Sequence, residues 1–269
     1  MISFSQLKVG IGFVKYQVRN RIDLLLLLVG MKGRAEIRFR NNDAKLEINA
    51  RNRTITLKST DPSRAFYFPA GRANMIKSLI SIYEIYLGEI YRILPVKGRI
   101  VVDIGAGLGD SAVYFALKGA SHLYAYEPDD TEFRSAVRNI TLNQSSGIIT
   151  IFNCSVIAGS SEDPLCKNSS MLGIVNTHHI SEASLKIDCE GCEHLLFNSD
   201  SCDWLDHFQY IVIEYHGGYQ VIEDKLRARG FKISFPQPHI APSIPKKSRW
   251  YSALIYAERI NMNNKREVM

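Results

Sequence analysis

Acidic residues stand at the ends of apolar runs in this chain, where a fold would place them beside bound ligands. Ile100, Val101, Val102 and Ile104 surround Asp103, and three alternating glycines follow, Gly105, Gly107 and Gly109. Glycine at such positions lets the backbone turn sharply and approach a ligand with no Cβ in the way. The next apolar run, His122–Tyr126, ends in Glu127-Pro128-Asp129. Leu185-Lys186-Ile187 leads to Asp188-Cys189-Glu190-Gly191, and Tyr210–Ile213 leads to Glu214-Tyr215-His216. The loop spacing is G-x-G-x-G, not the G-x-G-x-x-G that admits a pyrophosphate. A carboxylate two residues before the first glycine repels a pyrophosphate but accepts a hydrogen bond from an ammonium group. Glu127, at the tip of the neighbouring strand, suits a pair of ribose hydroxyls. Together these residues point to S-adenosylmethionine over NAD. The expected cofactor contacts are Asp103, Gly105, Ala106, Gly107, Gly109, Asp110, Ser111, Glu127, Pro128, Ser155 and Asp188.

The elements that must carry these residues alternate strand and helix, which implies α/β architecture with a doubly wound, mostly parallel sheet. Seven strands are expected near 100–104, 122–127, 148–153, 184–188, 210–215, 231–235 and 250–257, the last reversed. Helices are expected near 110–119, with Asp110 and Ser111 as caps, and near 129–142, 192–199 and 219–229. Ligands in such sheets bind beyond the carboxyl ends of the strands, where the acids cluster. Residues 1–94 read as an N-terminal α+β extension and 95–269 as the cofactor-binding domain. The extension holds short strands around Ile37–Phe39, Leu46–Ile48 and Thr54–Leu57, with Asn41-Asn42-Asp43 as a turn, and helical apolar spacing over 73–94. The stretch 159–183 reads as a surface loop with His178 and His179 solvated.

A chain of 269 residues, 46% hydrophobic and 22% charged, buries one substantial core. Its charge is lopsided. Residues 1–60 hold twelve Lys/Arg against four acids, a net +8 within a total of +6, so the remainder is −2. Such a segment attracts anionic lipid, nucleic acid or acidic glycan, or is a solvated basic surface. Leu24–Val29 is too short to span a membrane, which needs about 20 apolar residues. It reads as a buried strand or packed helix, with peripheral contact to an anionic membrane as an option. The five cysteines (Cys154, Cys166, Cys189, Cys192, Cys202) make an odd set without framework spacing, which argues for free thiols in a reducing, cytoplasmic compartment. Cys189 and Cys192 have zinc-knuckle spacing, with His194 and His207 nearby. No second pair accompanies them, so they read as buried filler and no metal ligands are expected.

The segment L-K-I-D-C-E-G-C-E at 185–193 resembles the K-I-D-x-E-G-x-E signature of the FkbM-type S-adenosylmethionine-dependent methyltransferases. D-I-G-A-G-L-G-D at 103–110, Y-E-P-D at 126–129 and I-V-I-E-Y-H at 211–216 resemble the same family's other motifs, the first two being shared by most class I methyltransferases. The resemblance covers roughly residues 95–257. It implies O-methylation of a hydroxyl on a sugar, glycolipid or secondary metabolite. A hydroxyl needs a base in hydrogen-bond reach and an in-line approach to the methyl carbon. Asp188, Glu190, Glu214 and His216 are the catalytic candidates. His216 has the intrinsic pKa best placed for a base, and it or Glu190 is expected in that role. Binding the cofactor or orienting the acceptor is the alternative role for Asp188 and Glu190. Two rivals stay open: a 2′-hydroxyl of RNA as acceptor, for which the basic extension speaks, and a catalytically silent cofactor-binding scaffold. The Pro-rich loop 236–245 with Lys246, Lys247 and Arg249 is expected to help select an anionic acceptor.

Overall fold

The computed structural model describes residues 17–40, 45–58, 63–158, 168–199, 201–236 and 252–260. The acceptor loop expected around Lys246, Lys247 and Arg249 lies outside the described residues, as do Cys166, Trp250 and the 41–43 turn. The chain enters through helix α1 (Arg21–Leu28), which buries Leu24 and Leu27 and leaves Ile22 and Leu25 exposed. Four antiparallel strands follow: β1 (Arg34–Arg38), β2 (Lys45–Asn49), β3 (Thr54–Leu57) and β4 (Arg64–Tyr67). Alternation puts Ala35, Ile37, Leu46, Ile48, Ile55, Leu57 and Phe66 on the inner face. Three of these strands match the sequence expectation. The fourth, β4, is not among the expected strands, since its Arg-Ala-Phe-Tyr run buries only Phe66 and shows no clear alternation.

Helix α2 (Arg72–Ile82) runs straight into a π-helical turn, Tyr83–Leu87, that ends at Gly88. The uniform helix expected over 73–94 therefore stops early. One extra residue in the turn alters which side chains face inward. The central sheet is built from β5 (Ile100–Ile104), β6 (His122–Tyr126), β7 (Ile149–Phe152), β10 (Ala183–Ile187), β11 (Phe208–His216), β12 (Phe231–Ser234) and β13 (Ser252–Arg259). Its order is β12-β13-β11-β10-β5-β6-β7, with β13 antiparallel to both neighbours and the pairs from β11 to β7 parallel. This is the expected doubly wound, Rossmann-like arrangement, with the reversed strand where it was expected. The chain steps outward from β5 to β7 and returns to pair β10 on the other side of β5, so a crevice opens between the ends of β5 and β10.

The connecting helices are α3 (Asp110–Leu117), α4 (Asp130–Leu142), α6 (Cys192–Phe197) and α7 (Gln220–Ala228). Asp129 caps α4 by accepting from the backbone N–H groups of Thr131 and Glu132. The cap of α3 is Gly109 in a left-handed conformation, so Asp110 is the first helical residue and not the cap. Between β7 and β10 the chain forms short parallel strands β8 (Ser155–Ile157) and β9 (Asn168–Ser170) and helix α5 (Met171–Thr177). This corrects the surface-loop expectation for 168–183, while 159–167 lie outside the described residues. Ser170 accepts from Gly173 N at 2.9 Å, and Met171, Ile174 and Val175 supply the helical apolar spacing that starts there. His178 is not solvated: its ring stacks on Tyr124 with centroids 3.9 Å apart. Among the described residues no helix is long and apolar enough to cross a membrane.

The extension and the sheet share one apolar cluster. It includes Leu79, Ile82, Ile85 and Tyr91 with Val101, Val113, Phe115, Leu123 and Val212. Two buried asparagines stitch the same boundary: Asn139 donates to the carbonyls of Tyr67 and Leu108, and Asn143 donates to that of Ala65.

Candidate active site

A cleft of about 300 Å³ lies at the carboxyl ends of the parallel strands. Its floor is the glycine loop after β5 and its far wall the ends of β10 and β11. The near wall comes from α2 and the π-helical turn. Gly105 occupies a tight place: a Cβ there would fall 1.9 Å from the Asp188 carbonyl oxygen, at φ +77°. Only glycine lets the two loops touch. The N–H groups of Gly105 and Ala106 donate to the Tyr126 carbonyl, which ties the loop to β6. Gly109 serves packing instead of the cleft, since its Cβ would meet Ala136 at 3.0 Å.

Asp103 does not reach the cleft. It is fully buried, and its carboxylate lies 3.0 Å from Lys186 Nζ and accepts from the Ser111 hydroxyl at 2.6 Å. Lys186, 2% exposed, also donates to the Gly105 carbonyl at 2.7 Å. Burial alone would lower the lysine's pKa, but the charges of Asp103 and Asp188 outweigh it and raise it. The expected ammonium partner is therefore an internal brace: Lys186 and Asp103 are register partners on β10 and β5, so their side chains share a face. The clue is the lysine set between Leu185 and Ile187 in a strand buried on every residue.

Glu127 sits where expected. It lines the cleft, with one oxygen accepting from Gly107 N at 2.8 Å and the other from Asp129 N at 2.8 Å. Burial raises its pKa, against the pull of those two N–H groups. Each oxygen keeps a second lone pair for a hydroxyl. Gly105, Ala106, Gly107, Asp110, Ser111, Pro128 and Asp188 also line the cleft, whereas Ser155 lies in β8, away from it. Asp110 accepts from the Ser81 hydroxyl at 2.6 Å, and burial pushes its pKa up.

The catalytic candidates converge. Asp188 Oδ2 accepts from the Tyr91 hydroxyl at 2.9 Å. One ligand atom from each of Asp188, Glu214 and His216 lies within 4.8 Å of the others. His216 Nε2 is 4.0 Å from Glu214 and 3.8 Å from Glu190, whose side chain is 77% exposed. Its Nδ1 is 3.1 Å from Glu193 Oε1, a fully buried carboxylate that also accepts from the His216 backbone N–H. Burial works to lower the His216 pKa, but the Glu193 hydrogen bond and the charges of Glu214 and Asp188 push it up to about 9. The raised pKa favours the imidazolium near neutral pH and weighs for Glu190, the other expected base.

Three residues of the site carry no distinct signal in the sequence. Glu193 stands inside the 185–193 signature with no role assigned to it. Glu84, on the π-helical turn, lines the cleft with its pKa well above the usual carboxylate range, chiefly through burial and then through Glu214, Asp188 and Asp110. Tyr91 reads from sequence only as one apolar position among several. The cysteines also differ from expectation: Cys189 and Cys192 form a disulfide with Cα atoms 5.4 Å apart, while Cys154 and Cys202 are free. Glu190 and Gly191 between them both have positive φ, a local reversal that brings the two sulfurs together.

No family model matches the chain. Similar curated proteins include a ribosomal protein L11 methyltransferase of Streptococcus equi subsp. zooepidemicus, 30% identical over 94 residues, which is 35% of this chain and 30% of the relative. Another, from Streptococcus pyogenes serotype M5, is 36% identical over 66 residues, 24% of this chain and 21% of that protein. The chain thus spans less than a third of the length of these curated relatives. Similar solved structures include M. capricolum TrmK with S-adenosyl-homocysteine (14% identity, TM-score 0.45, covering 64% of this chain and 67% of that one). An rRNA methylase from Streptococcus thermophilus is 13% identical at TM-score 0.42, covering 68% and 96%.

Proposed function

We propose that this chain is an S-adenosylmethionine-dependent methyltransferase acting on a hydroxyl acceptor. The observation that carries the reading is one cleft in which a braced glycine loop and Glu127 face a second set of acids, Asp188, Glu190 and Glu214. The cofactor, when bound, supplies an electrophilic methyl group. Glu127 holds the ribose hydroxyls, and the Gly105–Gly107 backbone admits the ligand without side-chain obstruction. With Asp103 engaged by Lys186, the ammonium partner falls to Glu84 on the near wall and Asp110 at the start of α3. Tyr91 fixes the Asp188 carboxylate. With His216 protonated, Glu190 is the group placed to take the acceptor's proton, and its exposure leaves it free to move toward the incoming hydroxyl.

The acceptor class follows from charge. Seven carboxylates and two lysines line the cleft, and both lysines are engaged, Lys186 by Asp103 and Lys77 by Glu132. Such a cleft favours a neutral hydroxyl at the transfer point, as on the sugar, glycolipid or secondary metabolite implied by the FkbM resemblance. A second reading has its own support. The net +8 over residues 1–60 suits a polyanion. An RNA 2′-hydroxyl fits if its phosphates lie on the basic extension, outside the acidic cleft.

Methyl-labelled S-adenosylmethionine, incubated with the protein and a cell extract split into RNA, lipid, glycan and small-molecule fractions, tests both readings. Label in the glycan, lipid or small-molecule fraction supports the first, and label confined to RNA selects the second. No label anywhere, with no S-adenosylhomocysteine binding by calorimetry, rejects the methyltransferase reading.

A further inference from the structure

We infer that Asp188, Glu214 and His216 form a divalent-cation site at the ends of β10 and β11. The inference deepens the proposed function and rests on that reading for its purpose, though not for its geometry. Two carboxylates and one imidazole, each offering an atom within 4.8 Å of the others, match the span of a single ion's coordination shell. Ligand oxygens on opposite sides of a divalent ion bound at about 2.1–2.4 Å lie roughly 4–5 Å apart. The donor set, mixed carboxylate and imidazole, suits Mn²⁺ or Zn²⁺ more than Ca²⁺.

A separate observation lies outside the cluster. Glu193, fully buried, holds the far ring nitrogen of His216 and its backbone N–H together. A carboxylate on the non-ligating nitrogen fixes the ring's tautomer and orientation and makes the other nitrogen a better donor, the usual support for a metal-bound histidine. Here it turns Nε2 toward Glu214. Tyr91 does the same for Asp188 by occupying one carboxylate oxygen, Oδ2, and leaving the other. All three ligands sit on or directly after adjacent parallel strands, which fixes their spacing. A cation there takes the place of the Nε2 proton. Its open positions face the cleft and would hold the acceptor's oxygen, lowering that oxygen's pKa so that Glu190, outside the ligand set, receives the proton.

The test uses the full chain after chelation, with Mn²⁺ as the probe. Electron paramagnetic resonance should count one tightly bound Mn²⁺ per chain, competed by Zn²⁺, with electron spin-echo modulation from one imidazole nitrogen. Glu214→Gln should weaken binding at least as much as the roughly 10–100-fold expected for Glu193→Gln. Glu223→Gln, on α7 where Glu223 pairs with Arg227, should change nothing. Absence of bound Mn²⁺ at 1 mM (about the weakest affinity a functional site shows), absence of nitrogen coupling, or equal weakening in Glu223→Gln would each overturn the site. The nitrogen coupling is read on the wild-type protein, so the outcome does not depend on a variant folding. S-adenosylhomocysteine binding, measured by calorimetry on metal-free protein, separates this outcome from failure of the methyltransferase reading.

Discussion

Two sets of acids sit at the ends of neighbouring strands and have opposite fates. Asp103 is sealed between Lys186 and Ser111 with no access to solvent. Asp188, Glu190 and Glu214 face the open cleft, with the His216 ring near Glu190 and Glu214 and Lys186 3.8 Å from Asp188. The difference lies in what stands across the sheet. Lys186 is in register with Asp103, so that acid became part of the frame. Asp188 and Glu190 lie past the end of β10, and Glu214 stands opposite Leu254. A carboxylate at a strand end is therefore architecture or chemistry according to its neighbour on the next strand.

The largest expected effect breaks the buried set. Lys186→Met leaves Asp103 in the core without its lysine partner, and should destabilise the fold by about 3–5 kcal/mol in denaturant unfolding. Adding Asp103→Asn should restore most of that loss. A cost for Lys186→Met below about 1 kcal/mol would contradict the framing role.

On the cleft side, Glu127→Ala should weaken S-adenosylhomocysteine binding by about 1–3 kcal/mol, as calorimetry on the folded variant would show. Unaltered affinity in the folded variant would count against Glu127 as the ribose partner.

Within the open set lies the disulfide that staples Cys189 to Cys192 on either side of Glu190. Closing so short a loop contributes about 2 kcal/mol in the chain-entropy account. Thermal unfolding with and without reductant should show a fall of that order for the wild type and none for Cys192→Ser.

The smallest effect sharpens the comparison through pH. The folded pKa of Glu84 is raised above its ordinary value near 4.5, so its contribution to stability is full below that value and is lost as pH rises through the raised one. Each unit of elevation corresponds to about 1.4 kcal/mol. Glu84→Gln, in metal-free buffer, should gain stability relative to wild type on going from pH 5 to pH 8. A parallel pH dependence in both proteins would mean that Glu84 is solvated.

Much of this is legible in the residues. The glycine loop, Glu127 and the strand-end acids are readable because apolar runs and glycines are local signals. The reversed last strand is readable from the length of its apolar run. What stays hidden depends on partners distant in sequence. Asp103 looks like a ligand-binding acid because nothing local shows that Lys186 lies beside it, 83 residues on. Glu84 is hidden by the π-helical turn, since a 3.6-residue periodicity extended through 83–87 assigns facing incorrectly. His216 has the expected location, but the rise in its pKa stays hidden because it comes from Glu193 on a different element together with Glu214 and Asp188. The disulfide is obscured by an odd cysteine count, which says nothing about a pair three residues apart.

The near wall of the cleft belongs to the segment that precedes the sheet, and this has a consequence for how the protein is made. During synthesis, at about 5–20 residues per second, Ile82, Ile85 and Tyr91 leave the ribosome before the strands that will cover them. They have to wait for Val101, Val113, Phe115 and Leu123, and for Val212, more than a hundred residues later. The pocket is thus completed late, and its first-made wall spends the interval as exposed apolar surface. That interval is when a nascent chain of this design is most open to capture by chaperones or to misassociation with its own copies.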